Sequence, residues 1–160
     1  MFRLSHASLA KLEDARVDPR IRLLVKRAIE LTETDFVVFE TMRTLERQRE
    51  LVAKGVSKTL DSYHLTGHAV DLVPWIAGRA QWQAPACLDV ALAMRAAAIE
   101  AGLSVTWGGT WQRLDRLGST RAELSLAVRQ YTNRVPHGLV DLPHFQVARP
   151  PTAGKMNSAA

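Results

Sequence analysis

Cysteine is almost missing from this chain of 160 residues: Cys87 stands alone, so neither an intrachain disulfide nor a cysteine-built metal cluster can form. Its apolar neighbours, Ala86, Leu88 and Val90 among them, mark it as a buried structural thiol. No stretch approaches the length of a membrane span, and Met1-Phe2-Arg3-Leu4-Ser5-His6 lacks the apolar run of a secretory leader. The chain is therefore expected to be made and folded in the cytoplasm, without a signal peptide. Any work outside would depend on export or lysis. Dense basic runs are also lacking, which argues against a dedicated nucleic-acid tail, and no internal repeat is visible.

Apolar residues are plentiful. At 47% of the chain they suffice for one core, and a single domain is expected over 1–148. From Arg149 onward the sequence turns rich in Pro, Gly, Ser and Ala, so 149–160 is expected to be a flexible tail. Lys and Arg number 21 against 16 Asp and Glu, a net charge of +5 with a sequence pI near 9.9. That sign favours polyanionic surroundings such as nucleic acid, anionic lipid or the polymers of a bacterial wall, without choosing among them.

Hydrophobic periodicity orders the chain as an α+β fold. Leu4, Leu9 and Leu12 suit a short helix capped by Ser5 or Ser8. Asp18-Pro19 opens a second, in which Ile21, Leu24, Val25, Ala28 and Ile29 recur at helical spacing to Thr32. Strands are expected at 35–40, across Val70 to Trp75, at 103–107 and at 144–148. Further helices are expected over Leu45 to Lys54, over Pro85 to Ala101 closed by Gly102, and over Thr120 to Tyr131.

The chemistry concentrates in Asp61-Ser62-Tyr63-His64-Leu65-Thr66-Gly67-His68-Ala69-Val70-Asp71, a loop that runs into a strand. A turn that only reverses the chain has no need of His64 and Asp71 seven residues apart. Their spacing suits a metal site, although a hydrogen-bonded structural pair would look the same. A catalytic tetrahedral site takes three protein ligands, and His137 and His144 are the later candidates. His144 is preferred because Asp141 precedes it by three residues, placed to take a proton from water beside the metal. The alternative, in which Asp141 caps a turn and His144 packs beside Trp111, stays open on spacing alone. Arg43 falls at a strand-to-helix junction, where function often concentrates, with Gln48 about a turn beyond it.

Ser62-x-His64-x-x-Gly67-x-Ala69-x-Asp71 combined with Asp141-x-Pro143-His144-Phe145 resembles the zinc metallopeptidases that include D-alanyl-D-alanine peptidases and phage L-alanyl-D-glutamate endolysins. Arg43-Thr44-x-x-x-Gln48, Ser57-Lys58-Thr59 and Trp107-Gly108-Gly109-x-Trp111 resemble the endolysin branch. The resemblance runs from about Leu4 to Val147. It implies a small antiparallel sheet flanked by helices, with the site in a cleft over the sheet. It further implies one zinc ion held by His64, Asp71 and His144, Asp141 as general base and proton donor, Arg43 on the developing oxyanion, and Gln48 and Ser62 lining the cleft. His68 would be peripheral, and His137 has no implied role.

Two departures stand out. Thr110 replaces the usual aspartate, and the chain carries an apparent insertion, 112–140, before the last metal motif. Gln146 replaces a glutamate after His-Phe. The implied activity is hydrolysis of the L-alanyl-D-glutamate bond of the peptidoglycan stem, by a monomer that waits in the host cytoplasm and reaches the wall with the help of a holin. A D-Ala-D-Ala dipeptidase or carboxypeptidase is the enzymatic rival. A basic, non-catalytic wall-binding module is the rival of another class, and no specific nucleic-acid partner is expected.

Overall fold

Helices form where apolar spacing coincides with a capping side chain. The computed structural model describes residues 1–151. Helix α1 (His6–Leu12) starts at Ser5, whose hydroxyl accepts from the Ser8 amide. Helix α2 (Pro19–Leu31) starts at Asp18, whose carboxylate accepts from the Arg20 amide, with proline at the one position where a missing N–H costs nothing. Thr44 caps α3 (Leu45–Ala53), and Gly102, left-handed, closes α4 (Ala86–Ala101). Helix α5 (Arg121–Arg134) opens with a reciprocal capping box between Thr120 and Glu123 and runs a turn past its expected end.

Six strands follow: β1 (Phe36–Glu40), β2 (Ala69–Ile76), β3 (Arg79–Ala80), β4 (Thr106–Trp107), β5 (Gln112–Arg113) and β6 (His144–Gln146). Their order is β1-β2-β6-β4-β5, with β3 attached to β2, and every pairing is antiparallel. The α+β reading holds. Strands expected at 103–107 and 144–148 shorten to their paired residues, while β3 and β5 form in segments where no strand was expected. The single-turn 3-10 helices Tyr63–Thr66 and Leu114–Arg116 were likewise not anticipated.

One core cluster joins α2, α4 and the helix-facing side of the sheet. Ile21, Leu24 and Val25 meet Ala91, Met94 and Ala97 within it, together with Val70 and Leu72 from β2 and Phe145 from β6. Strand alternation then does the rest: with Val70, Leu72 and Phe145 turned inward, Asp71, His144 and Gln146 project from the opposite face. Cys87 is buried, as its neighbours predict.

Arg149 departs from the flexible tail expected from that residue onward. Its guanidinium donates to the Thr66 hydroxyl (3.0 Å), the Asp61 carboxylate (2.7 Å) and the Ser62 carbonyl (2.5 Å), and lies 4.0 Å from the Tyr63 ring centroid. The composition around it hid a residue with four partners. Residues 152–160 of the expected tail lie outside the described residues.

Candidate active site

Asp71 and His144 are direct partners across the β2–β6 ladder, so the sheet itself brings together side chains 73 residues apart. His64 arrives from the 3-10 turn. Ser62 caps that turn by accepting from the His64 amide at 3.3 Å, and Gly67 ends it at φ 72°, a left-handed conformation that glycine adopts without strain. Gly67 has a second constraint, since a Cβ there would stand 2.0 Å from the Arg16 carbonyl oxygen.

The three candidate ligand atoms form a nearly equilateral triangle. His64 Nε2 lies 3.2 Å from Asp71 Oδ1 and 3.2 Å from His144 Nδ1, and His144 Nδ1 lies 3.1 Å from Asp71 Oδ1. Three ligands about 2.0 Å from a tetrahedral ion would stand about 3.3 Å apart, so this triangle fits one face of such a site. The remaining ring nitrogens are both engaged: His64 Nδ1 with the Thr41 carbonyl at 2.7 Å, His144 Nε2 with Gln146 Oε1 at 2.9 Å. If each of these nitrogens carries the proton, both partners accept it and the ligand nitrogens face the triangle unprotonated. Gln146, which stands where glutamate is usual, thus makes the expected neutral contact. Among the described residues this is the one cluster of His, Cys, Asp or Glu side chains able to hold an ion.

Electrostatics separate the two carboxylates. Burial opposes ionisation of Asp71, but its contacts with His144 and His64 outweigh it and hold the group well below the usual carboxylate range. Asp141 goes the other way. Burial raises its pKa first and the Asp71 charge raises it further, against smaller opposing effects of His144, His64 and Arg43. Among the described residues no donor bonds its carboxylate. Its backbone is fixed instead: the Asp141 amide donates to the Gly108 carbonyl at 2.9 Å, and the Gly108 amide donates to the His144 carbonyl at 2.8 Å.

Around these groups lies a cleft of about 590 Å³ that includes Arg43, Ser62, His64, Asp71, Asp141 and His144 in its lining. Arg43 is nearly buried. Its Nε donates to Glu40 at 2.9 Å, an Nη bonds the other Glu40 oxygen, and the second Nη donates to Gln48 Oε1 at 2.7 Å. It also lies 3.9 Å from Asp71 Oδ2. Gln48 differs from its expected place in the cleft wall. It is fully buried, donates to the Ser57 hydroxyl and the Thr59 carbonyl, and so braces Arg43 against the 57–59 loop. His68 sits by Asp18 (3.5 Å), away from the triangle, and His137 is exposed.

Trp111 contributes a wall. Its ring centroid is 5.3 Å from that of His144, and its indole N–H donates to the Leu139 carbonyl at 2.7 Å. The packing of His144 beside Trp111 and its place in the triangle coexist. Tyr131 of α5 donates to the same carbonyl at 3.2 Å, so the segment read as an insertion supports the approach to Asp141. At Thr110, where aspartate is usual, the hydroxyl is buried without a partner among the described residues.

The sequence matches the family model described as phage L-alanyl-D-glutamate peptidase over residues 1–126. The chain belongs to the phage L-alanyl-D-glutamate peptidase family. The matched region contains His64 and Asp71 and ends before Asp141 and His144. A relative in this family, the L-alanyl-D-glutamate peptidase of Escherichia phage T5, is 33% identical over 101 residues, 61% of this chain and 74% of that protein. The L-alanyl-D-glutamate peptidase of Listeria phage A118 is 36% identical over 77 residues, 48% of this chain and only 26% of that longer protein. In three dimensions, the crystal structure of the Serratia marcescens L-Ala D-Glu endopeptidase ChiX matches with a TM-score of 0.69 at 34% identity. That match covers 91% of this chain and 90% of the other, and so extends past the end of the family-model match.

Proposed function

We propose that this chain is a zinc-dependent peptidoglycan endopeptidase that hydrolyses the L-alanyl-D-glutamate bond of the stem peptide. The observation that carries the reading is the His64–Asp71–His144 triangle, with its outward ring nitrogens engaged and an unbonded Asp141 in the same cleft. Membership of the family and the names of its relatives support the choice of bond. Zinc bound by the three ligands would supply a Lewis acid that polarises the scissile carbonyl and lowers the pKa of attacking water.

The chain's own residues do the remainder. Asp141, kept free of hydrogen bonds and raised in pKa, accepts the proton of the attacking water and returns it to the leaving amine. Arg43, held by Glu40 and Gln48, presents a fixed positive charge toward the negative oxygen that develops on the substrate. Ser62 orders the His64 turn from the cleft wall, and Gln48 positions Arg43 without touching substrate.

Digestion of purified cell wall followed by mass spectrometry of the products tests the reading. New D-Glu amino termini are the expected result. Release of D-Ala or its dipeptide would assign the chain to the D-Ala-D-Ala peptidases instead. A protein without stoichiometric zinc and without chelator-sensitive hydrolysis would be a binding module.

A further inference from the structure

Beside the triangle, the cleft carries an aromatic surface that no step above uses. Phe39 and Trp82 both line it, yet are 49% and 50% exposed. Their rings meet edge to face, with centroids 4.9 Å apart and planes at 86°. Phe39 sits where the β1–β2 register shifts, between Val38 and Glu40, and the next residue, Glu40, pairs with Asp71. Lys11 holds the platform from its own side: its Nζ is 5.8 Å from the Phe39 centroid and donates to the Val38 and Phe39 carbonyls at 3.3 and 2.7 Å. Trp107 and Trp111 spend their indole N–H groups on carbonyls of the chain, whereas among the described residues the N–H of Trp82 has no acceptor. Two rings in edge-to-face contact and a free donor, open to water in the cleft, match a ligand with an apolar face and a polar rim.

Charge tells which part of the substrate that is. Lys58 lines the same cleft and donates to the His137 carbonyl, in the segment that leads to β6. Strand β6 lies on the far side of β2 from β1 and Phe39. Beyond the scissile bond the stem carries carboxylates, which suit the cationic side. On the other side of that bond only L-alanine and a lactyl group separate it from a pyranose ring. At about 3.5 Å of reach per residue, that ring must lie within roughly 7 Å of the attacked carbonyl.

We propose that Phe39 and Trp82 form a subsite for the N-acetylated muramyl sugar to which the stem peptide is attached. The sugar's C–H face lies on the rings and a hydroxyl or acetamido oxygen accepts from Trp82. The subsite rests on the endopeptidase reading, and it makes glycan-linked peptide a better substrate than the same peptide alone.

The test compares kcat/KM of the zinc-loaded protein on a disaccharide-linked stem peptide and on the N-acetylated free peptide of the same sequence. The wild-type protein is expected to favour the glycan-linked substrate by about tenfold or more. Trp82→Ala is expected to bring the ratio of the two kcat/KM values close to one, and Trp82→Phe to restore part of it. Cleavage of both substrates with no preference in the wild type, or a preference that survives Trp82→Ala, would overturn the subsite and leave the endopeptidase reading standing. If the wild type cuts neither substrate between L-Ala and D-Glu, the endopeptidase reading fails and the subsite with it.

Discussion

Asp141 is kept less acidic than an ordinary carboxylate because burial and the neighbouring Asp71 both oppose its charge. The sign of the consequence is fixed by linkage. A carboxyl whose folded pKa exceeds its unfolded value of 3.8 costs the metal-free protein stability at pH values above the folded pKa, and that stability returns as pH falls through it. Asp141→Asn should therefore raise the melting temperature of the metal-free protein at pH 7, with the gain vanishing near pH 3, while turnover falls by about a hundredfold or more and zinc is retained. Thermal melts at the two pH values, together with metal analysis, check it. If the variant loses its zinc, Asp141 is a ligand and not the base. Arg43→Ala would remove the donor proposed to face the developing oxyanion. It should lower kcat by roughly a hundredfold, about 3 kcal/mol in barrier, with zinc retained, and unchanged kcat would remove Arg43 from the reaction.

Short elements position those residues, and the turn after β4 is one of the tight ones. At Gly108 a Cβ would come within 2.3 Å of the Asp141 carbonyl oxygen and 3.0 Å of the His144 Cβ, so there is no room for any other residue without moving Asp141 or His144. Gly108→Ala should leave the helices intact by circular dichroism but weaken zinc binding and cut turnover together. Full activity in that variant would show that the 139–144 segment is free to shift. Helix α5 acts at longer range, through the Tyr131 bond to the Leu139 carbonyl and through the ion pair of Arg121 with buried Asp89 on α4. Tyr131→Phe deletes a single hydrogen bond, worth about 1 kcal/mol. A modest drop in melting temperature is expected, with kcat falling more than KM changes, because what loosens is the approach to Asp141 and not a contact with substrate.

For the molecule as a whole, an ion held by His64, Asp71 and His144 would also tie β2, β6 and the 3-10 turn together. A ligand that binds only the folded state adds about 2.7 kcal/mol at a hundredfold excess over its Kd. Chelation should therefore lower the melting temperature measurably as well as abolish hydrolysis, and added zinc should restore both. Burial works against a protonated His144, but its contact with Asp71 Oδ1 outweighs this and raises the ring above 6.5. A proton on Nδ1 then competes with the ion. Zinc affinity should weaken as pH falls through that raised value, by up to about tenfold per unit for each proton displaced, as titrations at pH 6 and pH 8 would show. Affinity that stays constant between those pH values would mean that His144 is not a ligand.

Much of this was legible in order along the chain. Ser5, Asp18 and Gly102 bound their helices through local hydrogen bonds and backbone preference, and the apolar spacing of α2 named its buried face. The grouping of His64, Asp71 and His144 was readable as a motif, and alternation about Val70, Leu72 and Phe145 gave the reason that two of them share a face. What remained hidden depended on partners distant in sequence. Composition placed Arg149 in a loose tail, but Asp61, Ser62, Thr66 and Tyr63 hold it. Spacing put Gln48 near the cleft, and packing buried it beneath Arg43. The two-residue strands β3 and β5 have no periodicity to read and exist through their ladders. Local sequence thus determined the helices and the longer strands and named the candidate groups, because caps, turns and periodicity act within a few residues. The tertiary structure alone decided which atoms of those groups face one another, which side chain braces another and which faces open water, because each of those depends on contacts between residues distant in sequence.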